Sequence, residues 1–289
     1  MSKKIVILGC ENSHANAFLN AIKNSEKYDV EVLGVYSDEQ DPPKKLAEEF
    51  GVPVMEHYTD GVGKVDGVII TARHGDNHYK YAKPYLSVGI PLFIDKPITV
   101  SEEDAIAFAK ELKAYSVPVT GGSSCRFEKT VLKLKKDVAE DVDGKTLGGY
   151  VRAPLNSKMG YGGFYFYSQH LVEIVGEIYG RFPKSVQATA HGEHITVVFH
   201  YEDYDVTGEF TEGIFTYYAA RSAEKGVCCS ELIIGSECFE AEFDAFYDLL
   251  EGKEQELTYE AFMAPVFVLN AIQRSLQTGK AELIGKIEE

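Results

Sequence analysis

Five short apolar runs, each followed by a helical pattern, govern the first 122 residues and leave few folds open to them. The runs are Lys4–Leu8, Val30–Tyr36, Gly67–Thr71, Pro91–Ile94 and Val117–Thr120. Between the first two, Ala15, Phe18, Leu19 and Ile22 fall at i, i+3, i+4 and i+7 behind Ser13 as N-cap. Pro42–Phe50 ends at Gly51 and Tyr79–Val88 at Gly89, while Ser101–Ala114 opens on Ser101 with Asp104 three residues on. Strands separated by helices of this length imply parallel βαβ units wound on both faces of one sheet. Residues 1–122 are therefore expected to form a Rossmann-like doubly wound domain.

Gly121-Gly122-Ser123-Ser124 marks a change of pattern. After the basic amphipathic helix Glu128–Glu140 the chain turns to strands: Leu147–Ala153, Ser185–Ala190, Ile195–Tyr201, Asp205–Thr211, Phe215–Ala220 and Cys229–Ile234. A helix, Tyr167–Tyr179, interrupts them early, and Glu240–Glu251 and Tyr259–Thr278 close the chain. Short turns such as Glu202-Asp203 and Glu212-Gly213 predict a meander, so residues 123–289 are expected to hold an open, mostly antiparallel sheet flanked by helices. The whole reads as α/β followed by α+β. Apolar alternation through Val197, Phe199 and Tyr201, with Ile214 and Tyr218, suggests a sheet face that pairs in a homodimer or homotetramer.

Charge narrows the partners. With 29 basic against 45 acidic residues the net charge is −16, which repels phosphate backbones and argues against nucleic acid. An anionic cofactor then needs a local device. Five cysteines without paired metal spacing, and a start (Met1-Ser2-Lys3-Lys4) that leads straight into a strand, predict a reduced cytoplasmic protein with no membrane span and no metal.

Chemistry should gather at the carboxyl ends of the parallel strands. There, Phe93-Ile94-Asp95-Lys96-Pro97 delivers an acid and a lysine, the lysine being either a catalytic cation or a plain ion-pair partner. The first turn, Gly9-Cys10-Glu11-Asn12-Ser13-His14-Ala15, keeps only the first glycine of the G-x-G-x-x-G fingerprint; Glu11 stands for the second and His14 for the third. The helix start offers amides, Asn12, Ser13 and His14 to an anion, and Glu11 opposes it; equally, Asn12 and Ser13 simply cap the helix. Ser37 and Asp38 follow the second strand, where a carboxylate normally takes ribose hydroxyls, with Asp38 one place late.

Taken with Gly162-Gly163 and His170, these features resemble the Gfo/Idh/MocA family, that of glucose–fructose oxidoreductase and inositol dehydrogenase, over essentially the whole chain. Members usually carry Glu-Lys-Pro where this chain has Asp95-Lys96-Pro97. Arg126-Phe127 is similar to the family's Arg-Phe pair, and Thr71-Ala72-Arg73-His74 through His78 takes the place of its Thr-Pro-x-x-x-His turn, without the proline. The resemblance implies NAD or NADP bound by the Gly9–His14 turn, Ser37, Asp38, Thr71, Arg73, His74, His78, Asp95 and Lys96. It also implies hydride transfer on a sugar, polyol or sugar-derived substrate.

One departure stands out. The family's Asp-x-x-x-His reads Phe166 and His170 here, so the usual acid/base aspartate is absent. Lys96 and His170 are then expected as acid/base and alkoxide-stabilising groups in an interdomain cleft, with Tyr167 on the same helical face as a relay if its phenol is made more acidic. Arg126 and Lys158 are expected substrate anchors. Tyr161, Tyr165 and Phe166 either line the substrate or pack as core, and Glu173 orients His170 or faces solvent. For His170 itself the alternative is a hydrogen-bonded core histidine. At the level of function the alternatives are a non-catalytic nucleotide- or sugar-binding sensor or partner subunit, and a redox-neutral glycosidase or lyase in which the hydride is returned.

Overall fold

The apolar runs of the first half pair side by side as parallel strands in the computed structural model, which describes residues 2–287. Strands β1 (Lys3–Leu8), β2 (Val30–Tyr36), β3 (Gly67–Ile70), β4 (Leu92–Asp95) and β5 (Val119–Gly122) lie in the order β2-β1-β3-β4-β5. Helices α1 (Ser13–Asn24), α2 (Asp41–Phe50), α3 (Asp76–Leu86) and α4 (Glu102–Ala114) connect them. A single parallel bridge, Val35 to Val54, stands beyond β2 where a further strand would lie in a full dinucleotide-binding sheet. The strand order reverses between β1 and β3, and ligands of such sheets bind at that reversal. Gly9 follows β1 with φ of +75°, and a Cβ there would stand 2.4 Å from the Ala72 backbone. Only glycine lets the two strand ends meet so closely.

In the second half a 3-10 turn (Ser124–Phe127) leads into α5 (Lys129–Ala139), β6 (Thr146–Leu155), α6 (Phe164–Tyr179), β7 (Ser185–His191), β8 (His194–His200), β9 (Asp205–Glu212), β10 (Tyr217–Ala223) and β11 (Gly226–Leu232). Helices α7 (Ser236–Leu250) and α8 (Tyr259–Thr278) and the short β12 (Glu282–Leu283) follow. The sheet order is β11-β10-β6-β9-β8-β7-β12, antiparallel throughout except for the parallel pair β6–β9. A simple meander would set β6 beside β7. Instead α6 carries the chain away from β6, which lies inside the sheet between β9 and β10.

One face of this sheet is packed. Val197, Phe199, Val206 and Phe210 meet Leu171 and Ile174 of α6 and Leu269 and Ile272 of α8, all fully buried. The Val197–Phe199 alternation therefore points into the core, which corrects the expectation that it forms an exposed interface. The opposite face carries Tyr150, Arg152, Thr207, Glu209 and Tyr218, tied by Tyr150 Oη to Glu209 at 2.7 Å and Arg152 Nε to Glu209 at 3.7 Å. It is polar and aromatic rather than aliphatic.

A single division after residue 122 does not describe the packing. One unit comprises Met1–Gly122 with Phe239–Phe262, the other Ser123–Cys238 with Met263–Glu289. The return is driven by aromatic surface: Phe243 and Phe246 of α7 are fully buried, with ring centroids 5.9 Å from Phe18 and 6.3 Å from Phe93. Tyr28 and Tyr259 fasten the segment through Asp244 (2.6 Å) and the Val117 carbonyl (3.0 Å). Among the described residues no helix is long and apolar enough to cross a membrane, and no three metal-ligating side chains converge.

Candidate active site

In the first unit the ends of β1, β2, β3 and β4 bring the anticipated cofactor residues to the sheet's reversal point, in two different states. Asn12, His14 and Asp95 form a buried cluster. Asn12 caps α1 through its side-chain oxygen and donates from Nδ2 to Asp95 Oδ2 at 2.9 Å. His14 Nδ1 lies 2.9 Å from the same oxygen. The other Asp95 oxygen accepts the Lys96 backbone N–H at 2.7 Å. Burial alone would raise the Asp95 carboxyl, but His14, with Lys96 behind it, outweighs burial and holds it below the usual carboxylate range. Asp95 has no exposed surface, so its role is to tie the first turn to the lysine turn rather than to touch a cofactor.

Two more anticipated ligands turn inward. Thr71 is fully buried and donates from Oγ1 to the Gly9 carbonyl at 3.0 Å. His78, also fully buried, places Nε2 2.8 Å from the Ala72 carbonyl and Nδ1 3.3 Å from that of Ile98. Burial pushes its imidazole below the usual range, so it is a neutral strut between the β3 and β4 loops. These corrections share a cause: a loop's residue types do not reveal which side of the loop faces the protein.

The remaining residues lie nearer the surface. Glu11 accepts Ser37 Oγ–H at 2.7 Å and the Arg73 backbone N–H at 3.0 Å, so the side chain at the second-glycine position bridges the ends of β2 and β3. Asp38 accepts from Tyr36 Oη (2.7 Å) and Lys80 Nζ (3.1 Å), and its carboxyl is held below the usual range: burial would raise it, but those two contacts together with Tyr81 outweigh burial. Ser13 is exposed at the start of α1, and His74 lies 3.6 Å from Asp76. A groove of about 310 Å³ runs beside Tyr36–Gln40, Pro43, Lys44 and Val54–Glu56. The positive-φ glycine, the amide end of α1 and this groove fit an adenosine dinucleotide, with Glu11 as the opposing charge.

In the second unit, α6 presents His170. Its Nδ1 lies 2.6 Å from Ser123 Oγ and 3.4 Å from Cys125 Sγ, and the rings of Tyr167 and Tyr217 stand edge-on at 5.3 and 6.1 Å. Ser123, Cys125 and Tyr217 carry no recognisable sequence signal; only the fold gathers them around the histidine. Burial, with Cys125 beside it, raises the Tyr167 phenol, so the lowered value that a tyrosinate relay needs is not what this environment produces.

Other anticipated contacts are committed elsewhere. Glu173 binds Arg181 (2.8 Å) and Gln169 (3.0 Å) rather than His170. Arg126 is 2% exposed and its Nε donates to Glu177 at 3.1 Å, so it braces α6 from within. Lys158 pairs with Glu193 on the exposed β7–β8 hairpin. Tyr165 Oη donates to Asn270 of α8 at 3.0 Å, and Phe166, 6% exposed, packs near Tyr161 (5.8 Å).

Residues 3–123 match the family described as "Oxidoreductase family, NAD-binding Rossmann fold". An oxidoreductase called YhhX from Escherichia coli strain K12, described as uncharacterized, is 29% identical over 126 residues, 39% of this chain and 35% of its own length; the match thus spans about a third of that relative. Among solved structures, myo-inositol 2-dehydrogenase from Lactobacillus plantarum superposes with a TM-score of 0.86 at 15% identity, covering 99% of this chain and 100% of that one. The WlbA dehydrogenase from Chromobacterium violaceum, crystallised with NADH and UDP-GlcNAcA, superposes at 0.82 and 15% identity over 98% and 96% of the two chains. At these identities the superpositions establish the fold.

Proposed function

We propose that this chain is a divergent member of the Gfo/Idh/MocA oxidoreductase family and an NAD-dependent dehydrogenase of a sugar, polyol or sugar-derived substrate, a reading supported by the family match over its first unit and by the shared fold. The observation that carries the reading is Lys96, 3% exposed at the carboxyl end of β4 beside the reversal point of an NAD-binding Rossmann fold. A nicotinamide, when bound, supplies the acceptor for the hydride that leaves the carbinol carbon. Lys96 and His170 serve the hydroxyl on that carbon, one removing its proton and the other stabilising its oxygen as the carbonyl forms. With Phe166 in place of the aspartate, this pair carries the acid/base work alone.

NAD is favoured over NADP by charge. Asp38, Glu39 and Glu56 lie on the β2 groove with Glu11 bridging its edge, against Lys44 and Lys80, so a 2′-phosphate meets a net negative surface. Thermal melting with each of the four nucleotides at millimolar concentration tests both statements. A nucleotide at 100 times its Kd stabilises by about 2.7 kcal/mol, so NAD or NADH raises the midpoint by several degrees and NADP or NADPH by less. No shift with any of them sinks the dehydrogenase reading; a larger shift with NADP overturns the preference.

Glu11 also favours a second reading, since a carboxylate at the second-glycine position weakens a phosphate site: a non-catalytic member that binds a sugar through its second unit. Nucleotide-independent stabilisation by a sugar or polyol panel is its signature. The open face of the β6–β11 sheet, with Tyr150, Arg152, Glu209 and Tyr218, is proposed to pair with a second copy. Light scattering should return a multiple of 32.1 kDa, and a mass equal to 32.1 kDa contradicts this.

A further inference from the structure

We infer that Ser123 is a positioning residue that fixes His170 as the Nε2–H tautomer, so that His170 donates a hydrogen bond to the substrate oxygen and Lys96 takes the hydroxyl proton. The inference rests on the dehydrogenase reading for its consequence and on the second unit alone for its geometry. Ser123 is fully buried and caps the 3-10 turn Ser124–Phe127: its Oγ accepts the Cys125 backbone N–H at 3.2 Å. The same Oγ lies 2.6 Å from His170 Nδ1.

A hydroxyl has one proton and two acceptor sites. One acceptor site of Ser123 is taken by the Cys125 amide, and the side chain is sealed from water. Among the described residues the one acceptor in reach of its proton is His170 Nδ1. Were Nδ1 protonated, it would donate to Oγ and leave the serine proton buried without a partner, a state disfavoured by roughly tenfold to a hundredfold. Cys125 Sγ stands 3.4 Å from the same nitrogen, but a thiol is both a weak donor and a weak acceptor, so the serine decides. Nδ1 therefore accepts, and the neutral imidazole carries its proton on Nε2.

The consequence is a division of labour. An Nε2–H cannot accept the substrate's hydroxyl proton without first losing its own. In the oxidation direction the carbinol C–H electron pair leaves as hydride to the oxidised nicotinamide, and the O–H proton passes to the uncharged Lys96 amine. His170 Nε2–H holds the oxygen as the C=O bond forms. In the reverse direction the same N–H polarises the carbonyl and Lys96 ammonium returns the proton.

The test is long-range proton–nitrogen correlation on the full chain labelled at histidine nitrogens, with the His170 signals identified by their loss in His170→Asn. Above the imidazole's titration, a pyridine-type Nδ1 and a pyrrole-type Nε2 are expected in the parent protein. Ser123→Ala should shift that pattern toward the other tautomer or a mixture, and Ser123→Thr, which keeps the hydroxyl, should restore it. With a turned-over substrate, Ser123→Ala lowers kcat about tenfold while KM stays within about twofold. A pyridine-type Nε2 in the parent, or an unchanged pattern in a folded Ser123→Ala, overturns the inference. If Ser123→Ala does not fold, the parent spectrum and Ser123→Thr decide. Because the nitrogen signals need no substrate, the Nε2–H pattern in a protein that binds no nucleotide would refute the dehydrogenase reading and leave the tautomer assignment standing.

Discussion

Replacing Lys96 with alanine lowers kcat/KM by about 10³-fold, within the 10²–10⁴ range of a positioned acid/base group, while leaving the affinity for NAD within a fewfold. The asymmetry follows from where the residue's contacts lie. Asp95 accepts the Lys96 backbone N–H, so truncating the side chain leaves that hydrogen bond and the Asn12–Asp95 contact in place. Lys96→Arg separates the two roles open to the lysine. Arginine keeps the charge and cannot give up its proton at any working pH. If arginine restores most of the rate, Lys96 acts by stabilising the alkoxide, and the division of labour inferred from Ser123 and His170 fails. If it does not, Lys96 is the base. A Lys96→Ala variant that turns substrate over as well as the parent removes the catalytic assignment altogether. Initial rates and nucleotide titrations on the same preparations give both readouts.

The second large effect is on stability and comes from Glu177. This carboxylate, with 3% of its side chain exposed, faces Arg126 (3.1 Å), Arg181 (2.9 Å) and Lys135 (2.5 Å). Burial alone would raise its carboxyl, but Arg126 first, then Lys135 and Arg181, bring it down to about 2 from 4.5. That difference corresponds to about 3 kcal/mol at neutral pH. Because the folded value is depressed, the contribution is fully present above the unfolded value of 4.5 and is lost as pH falls from there toward 2. Glu177→Gln is therefore expected to cost about 3 kcal/mol at pH 7, a drop of roughly 5–10 °C in Tm, since it removes the negative charge that faces the buried Arg126 and Arg181 guanidiniums. The gap between parent and variant should narrow steadily below pH 4.5. Melting curves from pH 7 to pH 3.5 check both points, and a gap independent of pH would show that packing rather than charge is responsible.

Much of the first sheet was legible because a parallel sheet buried on both faces writes its strands as apolar runs. β2 coincides with its run, and each of the other four begins or ends within two residues of it. The second sheet was legible strand by strand but not in its pairing: no local pattern tells β6 to lie beside β9 and β10. Function divided the same way. Lys96 at the end of β4 and His170 on α6 stand on the elements expected for them, because strand ends and helical patterns are sequence properties. The inward turns of Thr71, His78 and Asp95, and the attachment of Glu173 to Arg181 instead of His170, depend on which partner folding brings close. Ser123 was invisible for the same reason, being 47 residues from the imidazole it touches.

The return of Phe239–Phe262 to the first unit also bears on how the protein is made. A ribosome releases the chain from the N-terminus at roughly 5–20 residues per second, so the five parallel strands emerge well before the helix that covers Phe18 and Phe93. For an interval on the order of ten seconds the nascent half presents an uncovered aromatic surface, the kind that chaperones hold. The nucleotide half is first in sequence and cannot be first to finish.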